Sequence, residues 1–326
     1  MNRRLVVSIT VAHLASRAAV LRAQPARTAM PRIGVLSFRS VPSGRDPDPI
    51  AGFGHGMRDL GYVEGRNIVL DYRYAYGRPD RLVALVSELI QLKVDVILAG
   101  GPVPLQAARK ATSTIPIVAI SGSNPVREGW AQSLARPGGN VTGVMVTFPE
   151  LAPKQLELLK EAVPELVRVA VLVAPAELHA AGVEAGARQL GLRLVMLEVS
   201  GPDDFERAFK AAALSRAQGL YAIATNTIVA HRSRLAALAV SYRLPSISEL
   251  TLLADAGFLM SYGADLHALG RRAATYVDKI LKGARPGDLP IEQPAELELV
   301  INRKTANALG MTLPQFILMR ANRVIE

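Results

Sequence analysis

Short apolar runs alternate with helix-spaced apolar positions along nearly the whole chain. Ile33–Phe38 is the first such run, the pattern of a strand buried on both faces. Pro, Gly and Ser crowd residues 39–49 behind it, and Ile50, Phe53, Met57 and Leu60 then recur at helical spacing. Gly52, Gly54 and Gly56 weaken that helix, so close packing against a neighbour must hold it. Further strands are predicted at Asn67–Tyr72, Val94–Ala99, Ile117–Ile120 and Asn140–Val146, with a strongly apolar helix at Arg81–Leu92. A second set follows. Its strands are Val167–Val173, Leu192–Val199, Gly219–Ala224, Pro245–Ser248, Phe258–Ser261 and Leu297–Ile301. Its helices are Pro153–Ala162, 178–190, Asp203–Ser215, Val229–Tyr242, Asp265–Leu281 and Lys304–Leu309. Strands alternating with helices predict parallel sheets covered on both faces. The 326 residues suffice for two such α/β units of roughly 150 residues each. The expected fold class is therefore α/β, with two doubly wound parallel-sheet lobes.

An open parallel sheet binds its ligand beyond the carboxyl ends of its strands. Two facing sheets would form a cleft lined by the loops 37–40, 100–104, 121–125, 174–177, 225–227 and 248–250. These loops are small, polar or glycine-rich, which lets backbone amides approach a ligand.

Charge changes this picture little. The formal net charge is +10, but Arg3, Arg4, Arg17, Arg22 and Arg27 all lie in the first thirty residues, where no acid occurs. The remainder is mildly basic, so no nucleic-acid partner is expected. Asn2-Arg3-Arg4 followed by the mostly apolar Leu5–Ala15 has the layout of a secretory signal and is too short to span a membrane. Residues 1–30 are read as a signal peptide and linker, cut near Ala23, by the Sec or the twin-arginine route. The chain has no cysteine, which excludes disulfides, thiolate metal sites and cysteine nucleophiles.

Catalytic chemistry finds no foothold. His13, His55, His179, His231 and His267 include no pair at i, i+4 spacing, so no metal site has support from spacing. No nucleophile elbow, phosphate loop or dinucleotide fingerprint is present. Glu249, Asp255 and Asp265 fall near predicted strand ends, where capping competes with ligand contact. Trp130, the one tryptophan, is either a packing residue or a stacking surface. No catalytic residue, metal or cofactor is expected.

Several motifs occur in order. They are Asp59-Leu60-Gly61-Tyr62-Val63-Glu64-Gly65-Arg66-Asn67, Asp95-Val96-Ile97, Ser113-Thr114-Ile115-Pro116-Ile117-Val118 and Arg136-Pro137-Gly138-Gly139-Asn140-Val141-Thr142-Gly143. Gly257-Phe258-Leu259-Met260-Ser261-Tyr262-Gly263, Lys279-Ile280-Leu281-Lys282-Gly283-Ala284 and Leu299-Val300-Ile301-Asn302 follow, then Ala306 to Pro314. From about Ile33 to Glu326 the chain resembles the substrate-binding components of ABC transporters, in the group that includes tryptophan- and tyrosine-binding lipoproteins. The resemblance implies a type I periplasmic-binding-protein fold with a hinge and three crossovers, lobe 1 being 31–145 plus 258–284 and lobe 2 being 146–257 plus 285–326. It implies a monomeric periplasmic protein that captures a small polar organic molecule, amino-acid-like molecules being one class, and delivers it to an ABC permease in the inner membrane. A ligand-sensing regulatory protein on the same fold, without a DNA-binding domain, is the alternative. Strand-end position and the family pattern together nominate Ser37, Gly100, Gly101, Ser121 and Asn124 from lobe 1 as ligand-binding, and Ala174, Asn226 and Glu249 from lobe 2. Two positions depart from the family: Asn124 stands where Asp is usual, and Ala174 precedes Pro175 where Asn is frequent.

Overall fold

A computed structural model of the protein describes residues 30–39, 48–122, 124–146, 151–174, 180–294 and 297–326. The proposed signal segment and parts of three cleft loops (Ser40, Ser123 and 175–177) lie outside the described residues.

The strands are β1 (Arg32–Ser37), β2 (Val69–Tyr74), β3 (Val96–Gly100), β4 (Ile117–Ser121), β5 (Val141–Met145), β6 (Arg168–Val173), β7 (Arg193–Glu198), β8 (Gly219–Ala222), β9 (Ser246–Leu250), β10 (Met260–Ala264), β11 (Glu298–Asn302) and β12 (Arg323–Ile325). The helices are α1 (Pro49–Asp59), α2 (Leu82–Gln91), α3 (Pro102–Ala111), α4 (Ala152–Ala162), α5 (Ala180–Leu190), α6 (Phe205–Leu214), α7 (Asn226–Ala230), α8 (Arg232–Ser241), α9 (Thr251–Asp255), α10 (Leu266–Leu281), α11 (Arg303–Ala308) and α12 (Gln315–Arg320).

One sheet has the order β2-β1-β3-β4-β5 and is wholly parallel. The other has the order β12-β11-β10-β9-β8-β6-β7 and is parallel except where β10 meets β11. Central strands of both are apolar throughout. Val96–Ala99, Val118–Ala119 and Val169–Leu172 have no exposed surface, as strands covered by helices on both faces require. Two doubly wound α/β lobes result, as the alternation of the sequence predicts.

The chain passes between the sheets three times within the single compact unit 31–326. The second and third passages fall later than expected. Strand β10 pairs with β9 and β11, so the lobe 2 sheet runs to Ala264, not 257. Only α10 returns to lobe 1, packing on α1, β4 and β5. Residues 286–292 stay on lobe 1. The Leu289 carbonyl accepts from Thr142 Oγ1 at 2.8 Å, and Glu292 bridges to Val144 beside β5. Arg272 grips the Glu292 carboxylate through Nε and Nη2 at 2.5 and 2.6 Å. The third passage therefore begins after Glu292. The backbone bonds of β10 and of 286–292 decide these borders, and hydrophobic pattern alone does not reveal them.

Helices α1 and α10 are in unusually close contact. A methyl group at Gly52 would overlap the carbonyl of His267, and one at Gly56 would fall 2.8 Å from the Arg271 backbone. Two of the three glycines that weaken α1, Gly52 and Gly56, thus admit α10. Helix α3 has no counterpart among the predicted elements, and it carries Pro102 and Pro104 in its first turn. At N1 and N3 of a helix their missing N–H groups have no intrahelical partner to lose. The expected helix Val229–Tyr242 starts earlier, at Asn226, and breaks at His231 into α7 and α8.

Candidate functional site

Between the carboxyl ends of the two sheets lies a cavity of about 380 Å³. Its lobe 1 wall begins just past β1, where Arg39 reaches the cavity. The Arg39 guanidinium lies 3.0 Å from Asp48 Oδ2, and the Asp48 side chain is only 2 % exposed. The other carboxylate oxygen accepts from the Ile50 N–H at 2.6 Å and caps α1. One buried aspartate therefore fixes both the helix start and the arginine.

The end of β3 supplies Gly100 and Gly101, then Pro102 and Val103 at the start of α3. Gly101 has φ 116° and ψ 166°, a backbone region that side-chain-bearing residues avoid. No side chain caps α3. Gly122 beyond β4 and Glu128 in the following turn complete this wall, with Pro49 and Leu266 from the first turns of α1 and α10.

The lobe 2 wall is built from the ends of β8 and β9. Ile223, Ala224, Thr225 and Asn226 follow β8; Glu249 and Leu250 close β9. Thr225 Oγ1 accepts from Ile228 N–H at 3.3 Å and caps α7, which puts Asn226 in that helix's first turn. Glu249 Oε1 accepts from the Ala224 N–H at 3.0 Å, so the carboxylate is held towards the end of β8. Beneath it, burial and then the nearby Glu249 charge push the Tyr221 hydroxyl well above its ordinary range. Tyr221 stays protonated and donates to the Gln155 carboxamide, which donates in turn to the Tyr262 carbonyl at 2.7 Å. This buried chain ties α4, β8 and β10 together behind the wall.

Of the nominated residues, Gly100, Gly101, Asn226 and Glu249 meet on the cavity. Ser37, Ser121, Asn124 and Ala174 are not among its lining residues. Ser37 and Ser121 are each 2 % exposed, because as last residues of their strands they point into the packed interior. Ser37 Oγ accepts from the Arg39 N–H at 3.2 Å and so shapes the turn that carries the arginine. Asn124 Oδ1 accepts from the Arg127 N–H at 2.9 Å and caps the turn bearing Glu128. An Asn in the usual place of Asp keeps that acceptor. Sequence reasoning nominated neither Arg39 nor Glu128. Arg39 lies inside the loop 37–40, where its charge was the available signal; Glu128 had none.

The remaining candidates take structural roles. Asp255 receives Arg323 through two contacts of 2.5 and 3.1 Å, and Asp265 caps α10 by accepting from His267 N–H. Trp130 is 7 % exposed and packs among the core residues of lobe 1. Among the described residues, no three His, Cys, Asp or Glu side chains gather as metal ligands, and no helix is long and apolar enough to cross a membrane.

The family model for ABC transporter substrate-binding proteins matches residues 32–325, almost the entire described chain. The chain belongs to this family. The binding protein is 29 % identical over 265 residues to the tyrosine-binding protein of Clostridioides difficile strain R20291, covering 80 % of this chain and 76 % of the relative. Among solved structures, a conserved domain protein of Vibrio cholerae has a TM-score of 0.82 at 29 % identity, covering 91 % of this chain and all of the other. A Streptococcus ABC domain in complex with L-Trp has a TM-score of 0.83 at 26 % identity, with the same coverage. Sugar-binding proteins at 15 % identity share the periplasmic-binding-protein fold alone. Two of these relatives are described by the amino acid they hold, tyrosine in one and L-Trp in the other.

Proposed function

We propose that this binding protein captures a zwitterionic, amino-acid-like molecule in the cavity between its lobes and performs no reaction on it. The observation that carries the reading is the placement of charge. Arg39 and Glu128 line the cavity on lobe 1 and Glu249 lines it on lobe 2, amid aliphatic residues. A guanidinium suits a carboxylate and a carboxylate suits an ammonium group, while Ile120, Val146, Ile223 and Leu250 suit an apolar side chain. The tyrosine-binding and L-Trp-bound relatives support this class. A ligand touching both walls favours the closed arrangement by its differential affinity for it, and closure about the three passages is the signal an ABC permease reads. The protein works as a periplasmic monomer, released from its signal segment near Ala23, with the inner-membrane permease as its partner. It takes no nucleic acid and no cofactor.

Two measurements test this. Small-angle scattering of ligand-free protein should show a smaller radius of gyration after an amino-acid ligand is added, and an unchanged radius would contradict capture by closure. N-terminal sequencing of protein from the native host should begin between Gln24 and Met30, and an intact Met1 on the mature product would contradict export.

A further inference from the structure

His55 on α1 and His267 on α10 are 212 residues apart in sequence, yet His55 Nδ1 and His267 Nε2 lie 2.7 Å apart on the protein surface. The rings meet edge to face, with centroids 4.9 Å apart. The contact follows from the helix pairing described above, since Gly52 and Gly56 let α10 approach α1 at this level. We propose that His55 and His267 form a two-histidine chelate for a divalent transition-metal ion, which clips α1 to α10 at the mouth of lobe 1.

The geometry fits such an ion. With metal–nitrogen bonds of roughly 2.0–2.1 Å, two cis imidazole nitrogens sit about 2.9 Å apart at a right angle, so the nitrogens need to part by only a few tenths of an ångström while the rings, which face each other along the hydrogen bond, turn until their lone pairs converge on the ion. Both side chains reach solvent, which can supply the remaining ligands. In the metal-free pair one ring donates its N–H to the other. On binding, that proton moves to the other nitrogen of the same ring, both facing nitrogens offer lone pairs, and the metal gives up two waters. Imidazole donors select copper, nickel and zinc over magnesium or calcium, and Cu²⁺ is bound most tightly of the divalent series.

Charged groups of both helices surround the pair. Arg58 and Arg271 lie beside His55, and Asp59 is engaged by Arg271 at 2.5 Å. From the other helix, Asp265 accepts from the His267 backbone N–H at 2.8 Å. Loss of hydration, then Arg58, His267 and Arg271, hold the His55 ring below its ordinary pKa, with Asp59 opposing. The position matters because Pro49 and Leu266, in the first turns of these two helices, line the ligand cavity.

The test is calorimetric titration of the full chain with Cu²⁺ in a non-chelating buffer, with electron paramagnetic resonance of the complex. One site with hyperfine coupling to two imidazole nitrogens is expected. His55→Ala and His267→Ala should each weaken it by at least about tenfold, since loss of even an outer-shell partner costs that much. His231→Ala should leave it unchanged. The melting temperature should rise with Cu²⁺ in the wild type and not in either variant. If an alanine variant fails to fold, the glutamine variant at the same position is read in its place. Absence of a site, or a site that persists undiminished in the His55 variant, overturns the proposal. Neither outcome decides whether the cavity captures a ligand, which is tested separately.

Discussion

The two walls of the cavity are made differently. On lobe 1, Gly100, Gly101 and Gly122 present backbone, and the charge at Arg39 is borrowed from a loop and steadied by the buried Asp48. On lobe 2, Asn226 and Glu249 present side chains that regular elements hold, one in a capped helix and one in a strand hydrogen-bonded to its neighbour's end. Substitutions on the first wall should therefore act through conformation and stability, and substitutions on the second through ligand chemistry.

The largest effect is expected at Arg39. Arg39→Met removes the guanidinium at 3.0 Å from a carboxylate that is nearly buried. Breaking such a pair from one side costs on the order of 3 kcal/mol, so denaturant unfolding should show a clear loss of stability along with lost ligand affinity. Gly101→Ala comes next. Its added methyl meets nothing closer than Pro104 Cδ at 3.7 Å, so crowding is not the difficulty. The cost is the backbone angle, about 1–3 kcal/mol of stability by the same measurement.

The second wall should behave otherwise. Glu249→Gln keeps an oxygen for the Ala224 N–H, removes the charge and replaces the second oxygen with an amide donor. Unfolding should be nearly unchanged, while ligand affinity falls by about 1.5–3 kcal/mol, the worth of a hydrogen bond to a charged group. Asn226→Ala should cost about 1 kcal/mol of affinity with the fold intact. If Glu249→Gln unfolds the protein as readily as Arg39→Met does, the contrast between the walls fails.

The smallest effect concerns the helix pair behind the lobe 1 wall. His55 has a folded-state pKa below that of the unfolded chain, so the unfolded chain binds the proton first as pH falls. The contribution is present above the unfolded value near pH 6.5 and is lost as pH drops from there towards the folded value. Melting temperature should decline between pH 7.5 and 5.5, and His55→Gln should flatten part of that decline.

How legible the molecule was in its sequence varied with the kind of constraint. The alternation of buried strands and amphipathic helices was plain, because sheets covered on both faces need apolar strands such as Val96–Ala99. The helix-packing role of Gly52 and Gly56 was also readable. Strand-end loops located the cavity, and Gly100, Gly101, Asn226 and Glu249 fall on it. Ser37 and Ser121 lie off the cavity lining and are buried, since strand-end position does not say which way a side chain turns. Glu128 and the meeting of His55 with His267 were invisible, since turn capping by Asn124 and contacts across 212 residues leave no local periodicity.

The central claim is capture of an amino-acid-like zwitterion between two unlike walls. Calorimetric titration of ligand-stripped protein against a panel of L-amino acids, L-tyrosine and L-tryptophan included, tests it most directly. At least one should bind with one-to-one stoichiometry, and Glu249→Gln should weaken that binding by tenfold or more, roughly 1.4 kcal/mol. Failure of every amino acid to bind, or equal binding by wild type and Glu249→Gln, would contradict it.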